Sequence, residues 1–189
     1  FEYSAKGFTA GCSTHYTHVT ENRLPSLKGV LENPGIEKSG YGFKQLYKQL
    51  WDKGIQLKGR IFDMELMHYI LNPERSHKED LLLKSYLNVD IEEIAASAVP
   101  GAAEVENEPE QALFSSAEPD LFSSLSGGEE EKGLSQYEKE LSGIKCALLL
   151  QLGEKLMQEL SDAGQEKLYM EIEAPLVEVL ANMEYTGVK

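Results

Sequence analysis

The sequence predicts a layered α/β domain, and three patterns along its 189 residues carry that expectation. Short stretches rich in β-branched and aromatic residues, Lys6 to Val19 and Gly59 to Phe62, read as strands. Between and after them, apolar residues recur at helical spacing. From Leu134 onward one long helical stripe has to lie on a core.

The elements follow in order. Lys6 to Val19 (KGFTAGCSTHYTHV) alternates loosely and suggests one or two strands. Leu24, Leu27, Val30 and Leu31 keep helical spacing, with Pro25 tolerable in a first turn, until Asn33-Pro34-Gly35 breaks it. Phe43, Leu46, Tyr47, Leu50 and Trp51 fall at i, i+3, i+4, i+7 and i+8, and Gly54 supplies a C-terminal stop. After the strand at Gly59 to Phe62, Asp63 can accept backbone N–H bonds as the cap of a helix through Leu66, Met67, Ile70 and Leu71 that stops at Asn72-Pro73. Leu81, Leu82 and Tyr86 give a further helix over Lys78 to Leu87. Leu141, Ile144, Leu148, Leu149, Leu152, Leu156 and Leu160 form the long stripe. Leu168, Ile172, Leu176, Val179, Leu180 and Met183 define the last helix, with Pro175 as a kink or restart and Gly187 as its end.

Between these halves the composition shifts. Ala98 to Gly133 holds three Pro, five Ser, the pair Gly127-Gly128 and the run Glu129-Glu130-Glu131. Too little apolar surface is present to offset chain entropy, so 98–133 reads as an acidic, flexible insertion. Its apolar islands are two LFSS copies, Leu113 to Ser116 and Leu121 to Ser124, too short for a structural repeat.

Charge bounds the function. The formal net charge is -14, and Val99 to Gly133 contributes nine acids against one Lys, leaving about -6 for the rest. Affinity for duplex DNA comes largely from Lys and Arg neutralising phosphates, so this chain alone is expected to bind DNA poorly. No apolar run reaches the roughly 20 residues that cross a bilayer, and the first residues do not look like a signal peptide, which points to the cytoplasm and to no membrane partner. Cys12 and Cys146 lack C-x-x-C spacing and read as reduced, partly buried thiols.

Two segments carry a resemblance: Gly54 to Leu87, with IFDMELMHYILNP at its centre, and Leu168 to Lys189 (LYMEIEAPLVEVLANMEYTGVK). They resemble the 3'-5' exonuclease-like domain of bacterial DNA polymerase I, the family A polymerases, and the first helix of the polymerase domain. The resemblance spans roughly Gly35 to Ser97 and Leu134 to Lys189. It implies a ribonuclease H-like fold, a mixed β-sheet flanked by helices, with 1–97 and 134–165 as the exonuclease-like domain and 166–189 as the start of the polymerase domain. The palm and fingers are expected elsewhere in a longer parent enzyme, whose polymerase chemistry uses Mg²⁺. The resemblance also implies four acidic residues holding two divalent metals, since Mg²⁺ takes oxygen ligands.

Here those positions have changed. The second motif of active relatives runs G-x-N-x-x-x-D, and Gly40 to Leu46 occupies its place, with Gly42 for the Asn and Leu46 for the Asp. The third, Tyr-x-x-x-Asp before L-Q-L, aligns on Leu141 to Lys145 because Leu150-Gln151-Leu152 follows, so Leu141 replaces the Tyr and Lys145 the Asp. An ammonium does not ligate Mg²⁺. For the first motif, Asp-x-Glu, either Glu2 and Ser4 are its remnant or the strand lies upstream of Phe1. No metal ligand set and no cofactor are therefore expected in this chain, and Lys145 is expected to occupy the old site.

Other candidates have plainer readings. Asp63 and Glu65 tempt as ligands, but Asp63 fits a helix cap. His15 and His18 chelate only if helical, and their surroundings look like strand. Trp51 and the tyrosines stack on bases in some proteins, yet an aromatic in a helical stripe belongs to a core. The leading reading is an inactive exonuclease-like domain that supports the polymerase module in DNA replication and repair. The rivals are an active exonuclease with an unusual site using Glu2, Asp63 and acids of the insertion, and a sliding-clamp-binding element in which Gln111, Leu113, Phe114, Leu121 and Phe122 form Gln/Leu/Phe peptides.

Overall fold

A computed structural model describes residues 2–4, 7–12, 15–91, 93–94 and 136–187. The chain opens with a three-stranded antiparallel meander, β1 (Glu2–Ser4), β2 (Gly7–Gly11) and β3 (Tyr16–Val19), in which Phe8 faces Val19 and Thr9 faces His18. A 3₁₀ segment, Glu21–Leu27, runs over Pro25 into α1 (Lys28–Leu31). Next comes a βαβ unit: β4 (Lys38–Gly40), α2 (Phe43–Asp52) and β5 (Ile61–Asp63), with β4 and β5 parallel. The helix α3 (Met64–Leu71) follows at once, then α4 (Glu79–Leu82), which widens into a π turn over Leu83–Leu87. The long α5 (Gln136–Asp162) leads to α6 (Glu166–Leu168), a second π turn at Tyr169–Glu173, and α7 (Ala174–Thr186).

The α/β character is as expected, but among the described residues the strands form two separate small sheets, one antiparallel and one parallel, rather than one mixed sheet. The second strand covers Ile61–Asp63, slightly later than Gly59 to Phe62, because Gly59 takes φ +93° in the approach to it. The insertion 98–133, with Gln111, Leu113, Phe114, Leu121 and Phe122, lies outside the described residues.

One core joins these layers. Phe43, Leu46, Tyr47 and Leu50 of α2, Met64 and Met67 of α3, and Leu82 and Leu83 of the α4 segment are buried together with the inward face of α5. Each such side chain contributes about 1.5–3 kcal/mol on leaving water. On α5 the buried line runs through Ser142, Cys146, Leu149, Leu152, Leu156 and Leu160, while Leu141, Ile144 and Leu148 are half-buried on its margins. The stripe expected from the sequence is therefore rotated toward smaller residues in its first turns. Small size is what lets α5 approach the meander: a Cβ on Gly143 would lie 2.5 Å from the Tyr16 ring. Cys146 is buried with its Sγ 3.4 Å from the Thr9 carbonyl, whereas Cys12 is exposed rather than partly buried.

A larger correction concerns the last helix. Leu168, Ile172, Leu176, Val179, Leu180 and Met183 are all exposed, and the docked face consists of Tyr169, Ala174, Val177 and Ala181. Alanines bring α7 close to α2 and β5, and Tyr169 fills the space beneath them. Hydrophobic periodicity identified the helix but selected its outward side.

Lys38 is fully buried at the start of β4. Its ammonium donates to the Asn33 carbonyl at 2.5 Å and to the Lys58 carbonyl, joining the loop after α1 to the approach to β5. Burial lowers its pKa.

Candidate functional site

Two of the positions named by the resemblance, Gly42 and Leu46, belong to the start of α2, next to the corner where β5 ends and α3 begins. Asp63 closes β5, is buried, and caps two helices at once. Its Oδ1 accepts from Gly42 N and from Glu65 N, both at 3.1 Å, and its Oδ2 accepts from Phe43 N at 2.9 Å. Free N–H groups at helix starts favour a carboxylate there. Burial nevertheless outweighs these bonds and raises the Asp63 pKa to about 6. The cap expected for Asp63 is observed, and it extends to a second helix that spacing alone did not reveal.

Gly42 occupies the N-terminal junction of α2 with φ 69° and ψ 45°, a left-handed conformation open to Gly and, among other residues, to Asn. One turn further, Leu46 is 6% exposed and lies in the core cluster with Phe43, Tyr47 and Leu50. A carboxylate at that position would be buried among apolar side chains.

Tyr41 lies beside this corner and connects it to the loop before α4. Its hydroxyl donates to the His77 carbonyl at 2.7 Å, and burial, reinforced by Glu65, Glu79, Asp63 and Asp80, pushes its pKa up to about 12. Glu79 and Asp80 are also the partners of Lys145. The Lys145 ammonium is 3.4 Å from Glu79 Oε2 and 3.7 Å from Asp80 Oδ1, with the side chains of Lys145 and Glu79 each 18% exposed. Leu141 and Lys145 line a cavity of about 360 Å³ with Asp80, Leu81, Lys84 and Ile91. Lys145 is thus neither fully exposed nor isolated; it supplies positive charge to an acidic corner.

The remaining candidates fall elsewhere. Glu2 and Ser4 lie in β1. Glu65 is exposed on the first turn of α3 and contributes its backbone N–H to Asp63. His18 is on β3 with Nδ1 3.0 Å from Thr9 Oγ1, and His15 precedes that strand, so the two do not share a helix face. Trp51 is half-buried at the end of α2, between Tyr47 and Tyr185. Among the described residues no three His, Cys, Asp or Glu side chains converge on one point. Of the acids near this region, Asp63 is met by three N–H groups, and Glu79 Oε2 and Asp80 Oδ1 face the Lys145 ammonium, while Glu79 Oε1 is buried without a hydrogen-bond partner among the described residues.

Residues 5–96 match the family model described as DNA polymerase I, ribonuclease H-like domain. This chain carries a DNA polymerase I ribonuclease H-like domain. Its relatives include DNA polymerase I of Bacillus subtilis (strain 168), 30% identical over 163 residues, and that of Geobacillus stearothermophilus, 29% identical over 165 residues. These alignments cover 86% and 87% of this chain and 16% of each relative. The matched region is therefore about a sixth of either polymerase. Among the described residues of this polymerase I domain, no helix is long and apolar enough to cross a membrane.

Sequence reasoning missed two parts of the site. Tyr169, wholly buried, donates its hydroxyl to the Ile61 carbonyl at 3.0 Å and accepts from Asp63 N at 2.8 Å, so a residue of the terminal segment holds the strand that carries Asp63. Nothing in the spacing distinguishes Tyr169 from its apolar neighbours. Glu79 was missed because Lys78-Glu79-Asp80 reads as an ordinary charged first turn; only its proximity to Lys145 gives it a role.

Proposed function

We propose that this chain is the exonuclease-like domain of a DNA polymerase I in which proofreading has been lost, and that it serves replication and repair as structural support for the polymerase module. The observation that carries this reading is Leu46. The residue standing where active relatives have a metal-binding Asp is 6% exposed and packed in the apolar core. Converting it to a ligand would require burying a charge there. Lys145 supports the same reading, because the residue that aligns with the Asp of the third motif is an ammonium paired with Glu79 and Asp80. Nuclease chemistry needs carboxylates at both places.

On this reading Mg²⁺ serves the polymerase module of the parent enzyme rather than this domain, and DNA is held mainly by that module. The negative charge of the chain agrees with weak DNA binding by the domain itself. The supporting role rests on the way α6 and α7 are fastened to the domain, through Tyr169 to β5 and through Glu184 to Lys44 and Lys48 at 2.9 and 3.0 Å.

Digestion of a 3'-labelled single-stranded oligonucleotide with Mg²⁺ and then Mn²⁺, against a no-metal control, tests the proposal. No metal-dependent shortening is expected. Metal-dependent shortening that co-purifies with the chain, and disappears on Asp63→Asn, would replace it with an exonuclease of different ligand set.

A further inference from the structure

Away from the Asp63 corner, two imidazoles turn the same ring nitrogen toward each other. His68 of α3 is buried, and His77, in the loop before α4, is half-buried. Their Nδ1 atoms are 2.6 Å apart, with the ring planes inclined at 66°. A neutral imidazole nitrogen is either a donor or an acceptor, so at this distance a single proton serves both. Burial, followed by His77 and Arg75, lowers the His68 pKa, so at neutral pH the pair is not doubly protonated and keeps the lone pair that a metal ion needs.

A proton is one cation that two converging imidazoles hold, and a borderline transition ion is another. Zn²⁺ takes imidazole nitrogen at about 2.0–2.1 Å, which in tetrahedral geometry sets two such nitrogens about 3.3 Å apart, about 0.7 Å beyond the present separation. His77 can supply that movement, because Pro73, Glu74, Arg75 and Ser76 of its loop are exposed. His68 stays in place, since its helix is anchored in the core by Met64 and Met67.

The surroundings select the kind of ion. No third His, Cys, Asp or Glu side chain joins the pair among the described residues, so water completes the shell and the site is open rather than closed. Beside the His68 ring lie Tyr86, edge-on at 5.7 Å, and Asn72, whose amide donates to the Tyr86 hydroxyl at 3.4 Å. Two nitrogens without a carboxylate favour Cu²⁺, Ni²⁺ and Zn²⁺ over Mg²⁺ and Ca²⁺, which take oxygen ligands. Arg75 is the opposing charge, and it is exposed, so solvent screens its repulsion. From α5, Lys155 is turned to the Tyr86 carbonyl and Glu159 to the Tyr86 hydroxyl.

We propose that His68 and His77 chelate one borderline divalent transition ion, Zn²⁺, Ni²⁺ or Cu²⁺, through their Nδ1 atoms, the ion taking the place of the shared proton. The imidazole that carried the proton at Nδ1 then carries one at Nε2, so a neutral pair binds the metal with no net proton release. Binding ties the loop 72–78 to α3. Through the bond from the Tyr41 hydroxyl to the His77 carbonyl, the tie extends to the residue before Gly42.

The test titrates Zn²⁺ into the full 189-residue chain at pH 7.5 by calorimetry, with Cys12→Ser as background because that thiol is exposed. One saturable site is expected, tighter for Cu²⁺ than for Ni²⁺ or Zn²⁺, unaffected by excess Mg²⁺, and weaker as pH falls to 5. His77→Gln should weaken it by at least about ten-fold, since even loss of a group that only supports a ligand costs that much. Arg75→Gln should tighten it, and His15→Gln should leave it unchanged. Circular dichroism checks that the variants stay folded. A second measurement needs no variant at the site: the ring resonances of the four His are followed as Zn²⁺ is added, and those of His68 and His77 should shift while those of His15 and His18 do not. Absence of saturable binding, binding unchanged by His77→Gln, or shifts confined to His15 and His18 overturns the proposal. Displacement of Zn²⁺ by Mg²⁺ overturns it too, since the ion would then sit on carboxylates.

Discussion

The hydroxyl of Tyr169 bridges two backbone groups of β5, donating to the Ile61 carbonyl and accepting the Asp63 N–H across more than a hundred residues of sequence. A short strand paired on one side to β4 gains from this clamp what a longer ladder would otherwise provide. Burial raises the Tyr169 pKa, so the hydroxyl keeps its proton and remains a donor at neutral pH. Tyr169→Phe keeps the ring and removes the oxygen, leaving a buried N–H and a buried C=O unpaired. Unfolding in urea should show a loss of about 1–3 kcal/mol with an unchanged slope. A loss within error would mean that water or a rearranged strand satisfies both groups.

Asp63 makes the stability of the domain depend on pH in an unusual sense. Its folded pKa, raised to about 6 by burial, lies above the ordinary carboxylate value near 4. Between those limits the folded chain holds a proton that the unfolded chain has released, so this group's contribution falls as pH rises from about 4 to 6. The size is on the order of 3 kcal/mol at full effect. Asp63→Asn removes the titration. The difference in stability between wild type and variant, measured at pH 4 and at pH 7, should therefore shift in favour of the variant at the higher pH. A difference that moves the other way would show that the three N–H bonds outweigh burial.

Much of this corner was legible in advance, and the reasons differ by residue. Asp63 announced itself because an acid directly before an apolar helical run satisfies free N–H groups. Leu46 did so because its apolar neighbours at i+1 and i+4 already form a stripe. The outward face of α7 misled because large side chains dominate any periodicity, whereas docking there uses Ala174 and Ala181, which allow close approach precisely because they are small. Tyr169 and Lys38 were invisible for another reason: Tyr169 binds the backbone carbonyl of Ile61, more than a hundred residues away, and Lys38 that of Lys58, twenty residues away, and such partners leave no mark in local spacing.

His68 and His77 form a second pH-sensitive contact, opposite in sign. Their Nδ1 atoms are 2.6 Å apart, so one proton serves both and a fully protonated pair has no place for that contact. Around them lie Arg75, Tyr69, Tyr86 and Asn72, with Tyr41 on the His77 carbonyl. From α5, Lys155 binds the Tyr86 carbonyl and Glu159 acts on its hydroxyl. Burial, then His77 and Arg75, lowers the His68 pKa, so the unfolded chain takes up protons first. The contribution is present above the ordinary imidazole value near 6.5 and is lost as pH falls below it. Amide exchange in 72–78 should speed up relative to the rest of the domain between pH 7 and pH 5, after correction for intrinsic rates. His77→Gln should abolish most of that difference. Protection of the loop that is unchanged over this range would show that the pair does not hold it closed.

Placing a carboxylate at Leu46 should damage the fold. Leu46→Asp places an acid in a site that is 6% exposed, between Phe43, Tyr47 and Leu50, with no cation or N–H group shown to meet it. A buried, unpaired charge costs several kcal/mol, and the acid responds by staying protonated, which still loses the packing of a leucine. The variant is expected to unfold at least about 3 kcal/mol more easily at pH 7 and to recover part of that loss at pH 5, where the neutral acid is favoured. Mg²⁺ should not rescue it, because Lys145 keeps an ammonium beside Glu79 and Asp80. Combining Leu46→Asp with Lys145→Asp removes that obstacle and supplies two acids. If the double variant gains stability from Mg²⁺ while the single variant does not, Leu46 and Lys145 border one common site. If the single variant is already stabilised by Mg²⁺ and retains wild-type stability, Leu46 is still placed as a ligand and the apolar packing around it has been given too much weight.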